Sequence, residues 1–312
     1  MSSVVPAKES WLPVARARTA LVPLVACLLL QACGGDDDPG SSAVVATGNP
    51  DTCTGEVVDV VVSVGQWGDV VREVGGDCAN VTTIVAEPRG SEPGKTDLAA
   101  FSDADLVVVN GAGYDSWAED AAAAQHPAPP ALSVAGLVDA EDGDPHLWYE
   151  PQVVHAVAPA LADELAELSP DAVDVFEANA ATWQAGLRPY LDAVQALGAT
   201  VSGRTYAATG TTFDRMAASL GLDDVTPEGY RRGGNEPAPD DLAAFEAALT
   251  DGSVDVLVHE TADGGVPEQL ADAAEAAGVP VLEVTESPGD EPFLAWQLAQ
   301  LSALSDVLAE SS

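Results

Sequence analysis

The chain has 312 residues, of which 11 are lysine or arginine and 51 are aspartate or glutamate, so its formal net charge is −40. So acidic a surface repels phosphate backbones, which excludes nucleic acid as a general partner. Acidity also keeps proteins soluble and does not by itself identify a cation site. The length suits two modest domains or one large one.

The N-terminus has the order of a secretion signal. Lys8, Arg16 and Arg18 precede an apolar run over residues 19–30, which leads into Ala32-Cys33. About 12 apolar residues are too few to span a bilayer, which needs about 20. The pattern predicts a signal peptide over residues 1–32 and a lipid on Cys33. We therefore expect a protein outside the cytoplasm, anchored to the cell membrane.

Residues 33–52 are rich in glycine, aspartate and serine, which predicts a lipidated, flexible tether. Cys53 and Cys78 follow, each just ahead of a strand-like run, at 57–64 and 81–85. Adjacent parallel strands would bring both thiols to one sheet edge, and an exported pair of this kind favours a disulfide. Two unrelated thiols are the alternative, and the spacing does not match a zinc site.

From residue 57 onwards, short valine-rich strands alternate with helical stretches. This order predicts a parallel sheet with helices on both faces, and we place an N-terminal α/β lobe at residues 53–168. Residues 169–200 predict one long linking helix, in which Pro189 should cause a bend. A second α/β lobe follows at residues 201–312.

The predicted fold class is therefore α/β, with two parallel-sheet lobes joined by one long linking helix. In open parallel sheets, ligands bind beyond the carboxyl ends of the strands, which places the ligand cleft between the lobes. Residues at strand ends are consequently the candidates for function.

Residues 144–151 read Asp-Pro-His-Leu-Trp-Tyr-Glu-Pro, and they resemble the Asp-Pro-His-x-Trp-x-Asp-Pro signature of the solute-binding proteins of zinc and manganese ABC transporters. The resemblance extends over residues 57–310. It implies a monomeric extracytoplasmic binder that hands a divalent ion, zinc or manganese with zinc favoured, to a membrane permease and its ATPase. Members of the family usually hold the ion with three histidines and one acidic residue.

Carrying that pattern over gives a mixed ligand set. His146 occupies the second histidine position, and Glu286 aligns with the acidic ligand. Arg89 stands where the first histidine is expected, although Glu92 keeps the end of that motif. The third histidine position falls at or near Gly210, which offers no side-chain ligand.

Two interpretations remain open. In the first, a rearranged metal site uses His146, Glu286 and His259, with Glu92, Glu260 or water completing it. His259 is a candidate because it ends a strand at the interlobe edge, although a buried, hydrogen-bonded histidine would give the same pattern.

In the second interpretation, Arg89 supplies the positive charge and pairs with Glu286 or Glu92. The protein would then be a family member with a lost or altered site, acting as an adhesin, an accessory or a non-metal binding lipoprotein. The other histidines, His126 and His155, are expected to be structural or solvent-facing.

The sequence does not indicate an enzyme. Residues 259–263, His-Glu-Thr-Ala-Asp, lack the second histidine of a metalloprotease helix. The chain also has no Gly-x-Ser-x-Gly elbow and no phosphate-binding loop. A binding protein is therefore expected.

Overall fold

The computed structural model describes residues 43–84, 94–140, 143–233, 237–261 and 264–310. These residues belong to one compact unit, Pro39–Ser312. The predicted signal peptide, the lipid site at Cys33, and the residues Arg89 and Glu92 lie outside the described residues.

The first lobe contains a five-stranded sheet in the order β1-β3-β2-β4-β5. All neighbouring strands are parallel except β1 and β3. The strands are β1 Val44–Ala46, β2 Val58–Val62, β3 Ala79–Thr83, β4 Leu106–Val109 and β5 Ala131–Ser133. Every residue of β4 is buried, as expected for a strand with both faces covered. The predicted parallel α/β sheet is confirmed.

Four helices accompany this sheet: α1 Gly65–Gly75, α2 Lys95–Ala99, α3 Ser116–Ala123 and α4 Pro151–Leu168. In α1 the buried side chains of Trp67, Val70 and Val74 recur at helical spacing, so one face of the helix lies on the sheet. Pro151 begins α4, at a position where its missing N–H would have no helical partner.

The strand β1 corrects the predicted extent of the tether. Val44 pairs with Thr83, and the N–H of Gly48 donates to Asn80 Oδ1 at 2.9 Å. Residues 44–46, Val-Val-Ala, are a short β-prone run, and β3 would otherwise present unpaired backbone groups at the sheet edge. The ordered part of the chain therefore begins ahead of residue 53.

The predicted linking helix is built from two helices, α5 Val173–Gly186 and α6 Arg188–Val201, which meet at Leu187. Helical hydrogen bonds run across the junction, from Leu187 N to Trp183 O and from Leu191 N to Leu187 O, both at 3.0 Å. Pro189 lies in the first turn of α6, so the interruption falls beside the proline, as the sequence predicted.

The second lobe has an all-parallel sheet in the order β7-β6-β8-β9. Its strands are β6 Thr205–Ala208, β7 Asp223–Asp224, β8 Val256–Glu260 and β9 Val281–Val284. Its helices are α7 Asp214–Leu220, α8 Glu228–Gly233, α9 Pro239–Thr250, α10 Glu268–Ala277 and α11 Phe293–Glu310. Across the described ranges, no helix combines the length and apolarity that a membrane crossing requires.

The C-terminal helix α11 joins the second lobe to the first. The ring of Phe293 stacks on Trp67 with centroids 6.1 Å apart, and the Phe293 N–H donates to Asp69 Oδ2 at 2.6 Å. One cluster of buried apolar residues includes members of both sheets, the linking helices and α11. The two lobes therefore share a continuous core.

Cys53 and Cys78 form a disulfide across a sequence separation of 25 residues. Since β2 and β3 are parallel neighbours, their N-terminal ends lie at one sheet edge, as predicted.

The doubly substituted variant Cys53→Ser/Cys78→Ser should lose about 3 kcal/mol of unfolding free energy, because its unfolded chain is no longer constrained. Urea denaturation measures this loss. Wild type that is denatured in the presence of a reductant should have the same unfolding free energy as the variant. Equal unfolding free energies of the oxidised wild type and the variant would contradict the prediction.

Candidate metal centre

His146 lies in the loop that leads into α4 and has no exposed surface. Three contacts fix this loop. Asn110 Nδ2 donates to Pro145 O, Gln297 Nε2 donates to Trp148 O, both at 2.9 Å, and the Trp148 ring meets the imidazole edge-on at 5.5 Å. The loop conformation therefore determines where the imidazole points.

The two nitrogens of His146 have different surroundings. Nδ1 is hydrogen-bonded to the carboxylate of Asp144, which only accepts, so Nδ1 carries the proton of the neutral ring. Nε2 faces Glu286 Oε1 at 3.3 Å and makes no well-aligned hydrogen bond to the described residues. The lone pair of Nε2 is thus directed at the interlobe boundary.

Glu286 follows the end of β9 by two residues and is also buried. Tyr114 donates its hydroxyl to Glu286 Oε1 at 3.1 Å, and Gln66 Nε2 donates to the Glu286 main-chain oxygen at 2.9 Å. Both donors belong to the first lobe. The carboxylate from the second lobe is consequently positioned against His146 by residues of the first.

The charges around His146 shift its pKa upwards. Burial disfavours the charged ring, but the hydrogen bond to Asp144, the close approach of Glu286 and the negative charges of both carboxylates outweigh burial and raise the pKa of His146. For Asp144, burial favours the neutral acid. The hydrogen bonds and charge of His146, together with the charge of Arg215, nevertheless lower the pKa of Asp144. The imidazole and its carboxylates are thus electrostatically coupled.

This arrangement fits two ligands of one metal ion. An imidazole nitrogen and a carboxylate oxygen bound tetrahedrally at about 2.0–2.2 Å lie roughly 3.4 Å apart. The observed separation of Nε2 and Oε1 is 3.3 Å. A carboxylate on the remote nitrogen, here that of Asp144, is the usual support of a metal-binding histidine. Within the described ranges, however, no group of three or more histidine, cysteine, aspartate or glutamate residues is assembled for a metal.

The structure does not bring His259 to this pair. Thr209 Oγ1 lies 2.8 Å from its Nδ1, and Gly264 O lies 2.8 Å from its Nε2. Alternation along β8 explains the outcome, because adjacent side chains on a strand face opposite sides of the sheet. Val258 and Glu260 line a pocket at the strand end, so His259 points to the other face. Its ring is a buried, hydrogen-bonded histidine.

The pocket beside Glu260 includes the position predicted to lack a ligand. Its lining includes Gly210, Thr212, Phe213, Val258, Glu260 and Val284. The Thr212 hydroxyl donates to the Glu260 carboxylate, which is 5% exposed.

His126 and His155 are both exposed on the surface, as predicted.

Sequence reasoning missed three residues that shape the centre. Asp144 stands two residues before His146, and that spacing could have indicated its role. Tyr114 follows β4 without any pattern that marks it. Arg215, from α7, donates Nε to the Asp144 main-chain oxygen at 2.8 Å and Nη1 to the Glu150 carboxylate. Arg215 therefore ties the second lobe to the loop that carries His146.

Residues 60–307 match the family model described as zinc-uptake complex component A, periplasmic. The chain belongs to this zinc-uptake family. The match covers more than half of the chain and confirms the resemblance seen in residues 144–151.

Two curated relatives of this zinc-uptake family member are named for different metals. The chain is 30% identical over 171 residues to the manganese-binding lipoprotein MntA of Halalkalibacterium halodurans, covering 52% of this chain and 53% of that protein. It therefore spans about half the length of MntA. It is 22% identical over 280 residues to the high-affinity zinc uptake system protein ZnuA of Bacillus subtilis, covering 81% and 84% of the two chains.

A solved structure supports the same fold. The solute-binding protein FpvC of Pseudomonas aeruginosa, in complex with Mn²⁺, is 21% identical, with a TM-score of 0.67. The match covers 82% of this zinc-uptake family member and 100% of FpvC.

In the metal-free protein, the imidazole of His146 should titrate above the ordinary histidine value of about 6.5, because Asp144 and Glu286 favour its charged form. The chain has four histidines, so ring C–H resonances can be followed by NMR and assigned with His146→Gln. Asp144→Asn should lower the midpoint, whereas His259→Gln should leave it unchanged. A wild-type midpoint below 6.5 would show that burial prevails over the carboxylates.

Proposed function

We propose that this protein is the extracytoplasmic solute-binding component of an ABC-type uptake system for a divalent transition-metal ion, which it delivers to a membrane permease. Family membership supports this class of protein. The observation that carries metal binding is the buried pair of His146 Nε2 and Glu286 Oε1, 3.3 Å apart.

The two carboxylates beside His146 have different chemical roles in this proposal. Asp144 holds the proton on Nδ1 of His146, so that Nε2 presents its lone pair to the ion and becomes a stronger donor. Glu286 supplies a negative charge that offsets part of the ion's charge. Imidazole binds a metal ion only when the ring is neutral. Because the pKa of His146 is raised, protons should compete with the ion for this ring even at pH values above the ordinary histidine pKa.

The shared core bears on how the ion enters and leaves. The linking helices and α11 pack into one apolar cluster with both sheets, so wide separation of the lobes would expose buried apolar surface. We therefore propose that ion exchange uses local movement of the loops around His146 and Glu286. The permease would then act on these loops rather than on a wide hinge.

The lipid anchor on Cys33 belongs to this proposal, since it would keep the protein beside the permease. Cys33→Ser, expressed in a host that processes lipoproteins, should move the protein from the membrane fraction to the soluble fraction. An acyl chain contributes about 0.8 kcal/mol per buried CH₂. Fractionation after a high-salt wash measures the change, and unchanged circular dichroism serves as the folding control. A variant that stays on washed membranes would contradict the anchor.

The metal site is tested by calorimetric titration with zinc and with manganese. His146→Ala and Glu286→Gln should each weaken binding by more than about 100-fold, because each removes a direct ligand, and Asp144→Asn should weaken it about 10–100-fold. His126→Gln and His259→Gln are matched controls and should leave the affinity unchanged, since His126 is exposed and both His259 nitrogens are hydrogen-bonded elsewhere.

Two results of that titration would count against the proposal. Unaltered affinity in His146→Ala would place the ion elsewhere. Absence of binding by the wild type, together with binding by Arg89→His, would instead favour the interpretation in which Arg89 replaces the ion.

A further inference from the structure

We infer that Gln300, on α11, is a positioning residue whose amide oxygen couples the loop of His146 to the loop of Glu286 and so keeps both side chains in place for one ion. Gln300 acts through Tyr149 and Thr285 without touching the ion, an inference that rests on the proposed function.

The amide oxygen of Gln300 contacts both loops. It accepts the main-chain N–H of Thr285 at 3.1 Å and the hydroxyl of Tyr149 at 2.8 Å. Tyr149 follows His146 by three residues, and Thr285 directly precedes Glu286. Gln300 and Tyr149 are both buried. A single buried oxygen atom therefore joins one residue of each loop.

Thr285 is held at three of its polar atoms. Its N–H donates to Gln300, its main-chain oxygen accepts the Tyr149 hydroxyl at 2.5 Å, and its Oγ1 accepts Nε1 of Trp296 at 2.7 Å. The backbone that leads into Glu286 is thus fixed on one side by α11 and on the other by Tyr149 of the first lobe. A displacement of this backbone would break at least one of these bonds.

The helix α11 presents its polar contacts on one face. Trp296 and Gln297 precede Gln300 by four and three residues, the spacings that place side chains on the same side of a helix. Gln297 holds the Trp148 carbonyl in the loop of His146. The helix packs against α6, and its buried leucines belong to the shared core. Both loops are consequently attached to one well-packed element.

Packing alone does not account for an amide at position 300. Nε2 of Gln300 is buried and has no hydrogen-bond partner among the described residues, and an unsatisfied buried donor is unfavourable. A methionine would fill a similar space without that penalty. What the amide supplies is its oxygen. Tyr149 remains a donor to this oxygen, because burial raises the pKa of its hydroxyl well above the ordinary value.

The coupling matters because the two proposed ligands come from different loops. Nε2 of His146 and Oε1 of Glu286 are 3.3 Å apart, a separation that suits one ion only while both loops keep their relative positions. Without the link through Gln300, the loops would have to be ordered when the ion binds, and that ordering lowers affinity. Groups that orient metal ligands typically change metal affinity by about 10–100-fold.

Competition with a chromophoric chelator measures the zinc and manganese affinities of the full folded chain. Gln300→Met and Tyr149→Phe should each weaken binding by about tenfold or more. The double variant should lose clearly less than the product of the two single effects, because both changes break the same link. Asn179→Leu is a matched control. Its amide donates to Val74 O at 3.1 Å and joins α5 to α1, so its loss should leave both affinities unchanged, even where urea denaturation shows lower stability.

Bound Co²⁺ supplies a readout that a purely structural role would not change. Its visible absorption depends on the number and geometry of its ligands. At full occupancy, Gln300→Met should alter this spectrum, because His146 and Glu286 no longer keep their relative positions. Asn179→Leu should reproduce the wild-type spectrum.

The outcomes for Gln300 are distinct from those for the proposed function. If His146→Ala abolishes binding while Gln300→Met and Tyr149→Phe keep the wild-type affinities and Co²⁺ spectrum, Gln300 is a packing residue and the proposed function stands. If the wild type binds neither zinc nor manganese, both fail. Should Gln300→Met not fold, as judged by circular dichroism, Tyr149→Phe tests the same link, and an unchanged affinity in that variant would overturn the role of Gln300.

Discussion

The fixed orientation of one buried imidazole is the constraint on which the rest of the candidate centre depends. His146 is held on one side by Asp144, in its own loop, and faces Glu286 of the opposite lobe on the other. A buried imidazole between two carboxylates has two favourable states. The ring is either protonated and ion-paired, or neutral with its lone pair available to bind a cation. The same contacts that raise its affinity for a proton also prepare it for a metal.

Hydrogen bonds between the lobes converge around this ring. Gln66 reaches the main chain of Glu286, Tyr149 donates to Thr285 O at 2.5 Å, and Gln297 holds the Trp148 carbonyl. Each bond joins a residue near His146 to the end of β9 or to α11. A shift of one lobe would therefore disturb both His146 and Glu286 at once. Under the proposed function, this coupling would let small movements of the lobes change the affinity for the ion.

The sequence was sufficient for the features that depend on local pattern. Valine-rich strands predicted the parallel sheets, and the two cysteines predicted their bridge. A bend was predicted at Pro189, and α5 and α6 meet beside it. The sequence did not predict the features that depend on which strands pair with each other. The segment Val44–Ala46 resembles a tether until the exposed edge of β3 is known.

The candidate centre shows the same limit more sharply. His259 and Glu260 are adjacent at a strand end, and either could face the cleft. Only the phase of the strand, set by the packing of Val258 into the core, assigns Glu260 to the pocket and His259 to the opposite face. Tyr114 contacts Glu286 from a loop 172 residues away in sequence, so no spacing rule could have identified it.

The strong acidity of the chain acts at a different level from these contacts. A net charge of −40 attracts cations of every kind and speeds their arrival, but salt screens this attraction over about 8–10 Å. His146, Glu260 and Glu286 are all buried, so their interactions are screened far less. Surface charge can therefore increase the rate of capture without discriminating between ions. Under the proposed function, discrimination between ions would come from the imidazole and carboxylate groups that bind the ion.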